Sequence, residues 1–420
     1  MCFSFRGMYS SILHHLRDPL FRSSFFISLS RFTEIGFGFI FWMVAAHYYT
    51  IGEVGEATAI ISSLGLVVIL SRFGFDVSQI RFMTDYEREA VFNTCLWIPA
   101  IGSVIIGGVY FAFLRYATPA ADFFHGYFFL FIIVAFLNSI VLTISTAFMS
   151  FRKAEYRFIQ NLILGIRIPI LFFLLSLGSI GIFLAYGIAY LITAIFAAWL
   201  IVKFVQIKFE IDEEFTTQNF QFTSQNYLGN LLHNSPIFLM PLLIITISTA
   251  ENAALYYIAF AFGNLALIIP DAISISFFVE GSHGLRLRGG VIRSFIASVA
   301  ILIPIIVFIW FTGPYILEWI GKDYSGAINL LRLFILSGFF VAIYQLFITL
   351  EIIRFNPGIF VILSIIRAGL LLGLSCIFLL TFGILGIGWA WIMTHFILCL
   401  YIVWLMRKHI IAEISRNIII

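Results

Sequence analysis

The chain has 420 residues, of which 62% are apolar and only 11% charged, where an average soluble domain is roughly 25% charged. A soluble globule cannot hide that much apolar surface and a disordered chain is polar, so both classes are excluded. The net charge of +3 is too small to point to nucleic acid, so the 24 Lys and Arg matter through where they sit.

In chain order the apolar runs fall at 23–49, 57–81, 90–114, 124–150, 158–177, 180–202, 223–249, 253–279, 291–314, 326–350, 356–381 and 384–406. Each suits a helical span of about 20 residues, and none suits a barrel strand of about ten. The expected fold is an all-α polytopic membrane protein of twelve transmembrane helices. The first run holds Arg31 and Glu34 and is no cleavable signal peptide,. Twelve spans leave only about a dozen residues per connecting segment, which excludes a membrane-tethered enzyme with a soluble catalytic domain. Cys2, Cys95, Cys376 and Cys399 form no CxxC and read as packed thiols,. The eight histidines show no metal-ligand spacing, and no metal, cofactor or catalytic residue is expected.

Segments 1–22, 81–89, 151–157, 203–222, 280–293, 351–355 and 407–420 hold 17 of the 24 basic residues. The alternate segments hold only Arg115 and Lys322, and Arg31, Arg72, Arg167, Arg332 and Arg367 lie inside spans. By the positive-inside rule both termini are cytoplasmic, in a multi-pass protein of the cell membrane.

The hydrophilic stretch 203–222 reads as a linker between a six-helix half at 23–202 and another at 223–406. The halves resemble each other at an offset of about 200. Glu53 falls over Glu251, Arg167 over Arg367, and GSIGIFLAY (178–186) over GILGIGWAW (383–391). Six is even, so the two repeats run parallel, which places a central cavity between them. Coincidence among apolar segments is the other reading of these matches.

Residues 47–82 carry a Gly-Glu-Val-Gly turn (52–55) and a Gly-Phe-Asp…Arg run (Gly74, Phe75, Asp76, Arg81). With LEWIGKDYSGAINLLRLF (317–334), they resemble polysaccharide-biosynthesis membrane proteins, O-antigen-type flippases of the multidrug/oligosaccharidyl-lipid/polysaccharide exporter superfamily. His47 stands where that family often has Arg, and some members have fourteen spans. The resemblance implies flipping of a lipid-linked oligosaccharide from the cytoplasmic to the outer face. It does not name the sugar.

An ionisable residue inside a span is costly and usually faces a cavity or a partner. Ser24, Ser28, Arg31 and Glu34 fall on one arc of the first span, and Asn226, Asn230, His233 and Asn234 on a similar arc of the seventh,. These stripes either line a wet cavity or act as helix–helix glue. Arg167 and Arg367 lie near mid-span with no carboxylate within four residues. A guanidinium fork there suits an anionic ligand such as the diphosphate of a polyprenyl carrier; a bond to backbone carbonyls is the alternative. Arg31 with Glu34 and Arg72 with Asp76 are spaced as local pairs,. A proton or sodium coupling site needs a carboxylate, and Glu34 is the best placed.

The reading is a monomeric transporter, working by alternating access, whose partners are a lipid-linked saccharide and membrane lipid. Organic-cation export within the same superfamily is a second reading, and it calls for unpaired Asp or Glu. A membrane-embedded glycosyltransferase or polymerase is a third. It calls for a large outer loop or an acidic metal motif, and the sequence has no DxD.

Overall fold

The computed structural model of the protein describes residues 19–117, 126–282, 287–354 and 357–418. Residues 1–18 of the expected N-terminal segment lie outside the described residues, as do the side chains of Ser24 and Asn226. The described residues hold twelve helical segments long and apolar enough to cross a membrane. They are Phe25–Tyr48, Ile51–Ser71, Arg88–Leu114, Phe128–Ser150, Ala154–Phe173, Ser179–Ile201, Tyr227–Ile247, Ala250–Phe278, Gly289–Ile320, Lys322–Ile353, Gly358–Phe382 and Leu385–Arg407. Most of the second span is buried in the protein (78%), whereas only 17% of the first, fifth and ninth is. In a bilayer those exposed apolar faces meet lipid.

The chain forms two compact units. One gathers the described residues up to Tyr49 with Ser63–Leu228, and the other gathers Thr50–Ser62 with the residues from Gly229 onward.

The second span starts earlier than the expected residue 57, because a capping box fixes its first turn. The Thr50 N–H donates to Glu53 Oε2 at 2.9 Å and the Glu53 N–H to Thr50 Oγ1 at 3.4 Å, which satisfies two donors a helix start leaves bare. The eighth span opens similarly, with the Asn252 N–H donating to Thr249 Oγ1 at 3.2 Å. Gly55 belongs to the same packing: a Cβ there would strike the backbone of Ala250.

The second span also ends earlier than the expected residue 81. Phe73 and Gly74 both have positive φ, 47° and 83°, which breaks the helix and starts the short helix Phe75–Phe82. Gly74 is required twice over, since L-residues disfavour that φ and a Cβ there would meet the Thr223 carbonyl. The elbow is pinned by Ser78 Oγ to Thr223 Oγ1 at 2.6 Å and by the Tyr227 hydroxyl, which donates to the Leu70 carbonyl at 2.9 Å.

The fifth span is broken between Leu164 and Arg167. Pro169 has no N–H to offer the Gly165 carbonyl, which accepts instead from the Ile168 N–H at 3.0 Å. The break leaves Arg167 at the start of the second piece.

The linker is docked along its length. Asn93 donates to the Gln206 carbonyl and accepts from the Lys208 N–H, both at 3.0 Å. The Trp97 indole donates to the Lys208 carbonyl at 2.7 Å, and the Asp212 N–H donates to Thr94 Oγ1 at 2.8 Å. Asp212 then caps the helix Glu213–Gln218 by accepting from the Phe215 N–H. That turn buries Phe215 among Phe75, Val91 and Phe92.

Candidate functional site

In the first unit, the polar arc of the first span presents Ser28, Arg31 and Glu34 as exposed residues. Ser30, one step off that arc, is fully buried, and its carbonyl and hydroxyl both accept from the Asn161 amide at 3.0 and 2.9 Å. Two ion pairs flank this contact between the first and fifth spans: Arg22 with Glu155 at 3.3 Å and Arg157 with Glu34 at 3.7 Å. Glu34, expected to pair with its neighbour Arg31, therefore also answers to a cation on another helix.

The apolar pattern places Arg157 in the connecting segment 151–157. The helix in fact begins at Ala154, which puts Arg157 inside the span, within electrostatic range of Arg31, Arg72 and Glu34. The signal was the acidic Glu155, which suits a first helical turn as well as a loop. Arg72 and Asp76 pair as their spacing suggested, at 3.4 Å. The first unit thus gathers Arg31, Arg72 and Arg157, with Glu34 and Asp76 as partial counter-charges.

Arg167 makes no ion pair with these carboxylates, although Glu34 and Arg167 both lie within electrostatic range of Tyr186. Its guanidinium carbon lies 5.1 Å from the centre of the Phe41 ring and 5.8 Å from that of Tyr186. It also lies against the first span, where a Cβ on Gly38 would be 3.5 Å from Nη2. Its Nε is buried without a hydrogen bond, and it has no ion-pair partner among the described residues. Tyr186 is held in place by Asn138, which donates to its hydroxyl at 3.3 Å, and it donates in turn to the Tyr190 hydroxyl at 3.2 Å. Asn138, Tyr186 and Asn161 escaped the sequence reading because uncharged polar residues on packed helices carry no pattern of their own.

In the second unit, Asn230 is exposed, and Asn234 donates to its side-chain oxygen at 2.5 Å and to its carbonyl at 2.9 Å. His233 turns the other way. Its ring lies parallel to Tyr344 at 6.2 Å and beside Phe360 at 5.8 Å. Arg367 donates to the His233 carbonyl at 2.5 Å and faces the Trp391 ring at 5.7 Å. It is only 4% exposed. The seventh-span stripe therefore divides, with Asn230 accessible and His233 packed near Arg367.

Chemically, the first unit offers several guanidinium groups, one of them backed by aromatic rings and free of carboxylates. Planar guanidinium is the group that matches phosphate oxygens in pairs. Among the described residues no His, Cys, Asp and Glu cluster could hold a metal ion.

No protein-family model matches the chain, and no curated protein is similar to it in sequence. Solved structures share its fold. An inward-facing multidrug resistance MATE-family transporter of the MOP superfamily superposes with a TM-score of 0.68 at 16% identity, over 93% of this chain and 98% of its own. Lipid II flippase MurJ in an inward closed conformation gives 0.71 at 15% identity, over 91% of this chain and 87% of its own. A Pyrococcus furiosus MOP-superfamily transporter, described as having a binding pocket of reversed polarity that suggests a different function, gives 0.57 at 14% identity over 94% and 96%.

Proposed function

We propose that this twelve-span protein, with the fold of MOP-superfamily transporters, moves a lipid-linked saccharide on a polyprenyl diphosphate from the cytoplasmic to the outer face of the cell membrane. The transport cycle is alternating access, and both termini are cytoplasmic. The observation that supports the reading is Arg167: a mid-span guanidinium on two aromatic faces, with no carboxylate and with an unused Nε–H. A group so placed favours an oxyanion. Arg31, exposed on the first span, and Arg157 and Arg72 beside it extend the positive field. The second unit, taken by itself, offers neutral hydrogen-bonding groups at Asn230 and Asn234.

The MATE-family neighbours raise the second reading, export of an organic cation. A free carboxylate inside a span would favour it. Glu34, Asp76 and Glu351 are each paired with an arginine, which weighs toward the anionic substrate. Glu34, half exposed, remains the group of choice for a coupling proton or sodium ion.

The test is flipping of a polyprenyl diphosphate-linked sugar in proteoliposomes. Replacing Arg167 or Arg31 by Ala should lower flux and substrate affinity by about ten- to a hundred-fold, as loss of a charge-assisted bond does, with unchanged yield of monodisperse protein. Lys at position 167 should restore only part, since it keeps the charge and loses the planar fork. Full activity in both Ala variants, or transport of organic cations at wild-type rates, overturns the reading.

A further inference from the structure

Arg367 poses an electrostatic problem that transport of a lipid diphosphate does not solve. The side chain is buried inside the second unit, 4% exposed. It has no ion-pair partner among the described residues, and Glu351, the buried acid of that unit, is bound by Arg354 at 3.1 Å. Removing a cation from water without a counter-charge is among the most costly arrangements a protein can hold. One carbonyl, that of His233, is a weak answer to a full charge.

Besides His233 Nδ1, the Tyr344 hydroxyl and Ser364 Oγ, which can accept, several donors of the same core have no partner,. Buried without a hydrogen-bond partner are Arg367 Nε, the Trp391 indole Nε1, the Tyr256 hydroxyl and Thr394 Oγ1. The first two can only donate, and the hydroxyls can donate as well. All four residues are at most 4% exposed. They come from the eighth, eleventh and twelfth spans: Arg367 faces Trp391, Phe260 stacks on Tyr256 at 5.7 Å and meets Trp391 edge-on at 5.5 Å, and Tyr256 lies within electrostatic range of Arg367. Thr394 lies one helical turn beyond Trp391, on the same face. The Trp391 carbonyl accepts from His395 Nδ1 at 2.8 Å.

We propose that the core of the second unit binds one small monovalent anion, of the class of chloride, against Arg367, with the Trp391 indole, the Tyr256 hydroxyl and Thr394 completing its shell. The anion supplies the counter-charge the protein lacks and accepts the donors that otherwise stay unmet. A water molecule would meet two of them and leave the charge. A lipid diphosphate is too large for a buried position beside the packed rings of Phe260, Phe334 and Trp391. The site is a structural ion within one unit, and it stands whatever substrate the transporter carries.

The experiment follows thermal unfolding of the purified full chain in detergent at fixed ionic strength, exchanging sodium gluconate for sodium chloride. Tm should rise by roughly 2 °C for each tenfold increase in chloride above half-saturation, and radiolabelled chloride should be retained at one per chain. Arg367→Met keeps the volume and removes the charge. It should lose the chloride response and the retained label, while the response belonging to any other site persists. Tyr256→Phe and Trp391→Phe keep the rings and delete one donor each, so half-saturation should move up about fivefold. If Arg367→Met does not fold, those two variants carry the test. A Tm indifferent to chloride, an Arg367→Met protein that responds as wild type does, or Phe variants with unmoved half-saturation overturns the proposal. Protection by inorganic phosphate with chloride inert also overturns it, and assigns the position to a phosphoryl group.

Discussion

Arg167 holds its guanidinium carbon 5.8 Å from the centre of the Tyr186 ring. In the second unit Arg367 lies 5.7 Å from the centre of Trp391, the residue set over Tyr186 by the match of 178–186 with 383–391. Each of the two arginines thus faces an aromatic ring of the span that follows its own. Their surroundings differ: Arg167 is half-buried and Arg367 fully buried.

The ring under Arg167 has a measurable role. Tyr186→Leu removes a cation–π contact of about 0.5–2 kcal/mol and the hydrogen bonds to Asn138 and Tyr190. Tyr186→Phe removes only the hydrogen bonds. Substrate affinity should fall several-fold in the Leu variant and much less in the Phe variant, by equilibrium binding of the lipid-linked sugar. Equal losses would assign the effect to the hydroxyl alone.

The Glu34–Arg157 pair, half exposed on the carboxylate side, should couple by about 0.5–1 kcal/mol, the range of partly solvated ion pairs. A double-mutant cycle of Glu34→Gln and Arg157→Met, read from thermal unfolding, isolates this term. A cycle of Glu34→Gln with Arg31→Met tests the sequence-local alternative and should give the smaller coupling.

Much of this fold was legible because the bilayer dictates it. Twelve spans and their connecting segments follow from apolar length alone. What the sequence concealed is tertiary. Phe73 adopts a positive φ that its side chain disfavours, so a run that looks continuous to residue 81 stops at the elbow. Asn93, Thr94 and Trp97 look like ordinary residues at the start of a span, yet they hold the linker backbone. At the candidate site the arginines announced themselves by charge, but which of them is buried and which accessible depended on packing. Arg157 was hidden by a helix that starts a turn earlier than its apolar pattern.

The seventh-span stripe should label unevenly. In a background lacking native cysteines, Asn230→Cys should react with a water-soluble thiol reagent, since that position is exposed. His233→Cys should react slowly, because the position is packed against Tyr344 and Phe360. Fast labelling at 233 and none at 230 would reverse the assignment of the stripe's accessible side.

Orientation is open to a direct test. Reporters fused after Asp212 and after Lys322 should appear on opposite sides of the membrane, the first cytoplasmic, as the distribution of basic residues requires. Both on one side would break the twelve-span count between them or the orientation rule for this chain.

The last expectation concerns two glycines in corresponding positions. Gly181 packs so closely that a Cβ would strike the Leu174 carbonyl, and Gly386 so closely that a Cβ would strike the Phe378 carbonyl. Each follows a glycine of positive φ, Gly178 at 58° and Gly383 at 62°, which turns the chain sharply from one span into the next. Backbone cannot swing aside as a flexible side chain does, so Ala at 181 or 386 must move a helix and should cost about 1–3 kcal/mol or more. Gly108 and Gly369 supply the control. Both lie inside helices with nothing within 4 Å of a Cβ, where Ala should be neutral or stabilising by about 0.5–1 kcal/mol. Thermal unfolding in detergent should therefore separate the four variants into two pairs, with Gly181→Ala and Gly386→Ala falling together. If Gly386→Ala alone is tolerated, the two turns are not equivalent, and the correspondence between the halves fails at the place where it is most closely drawn.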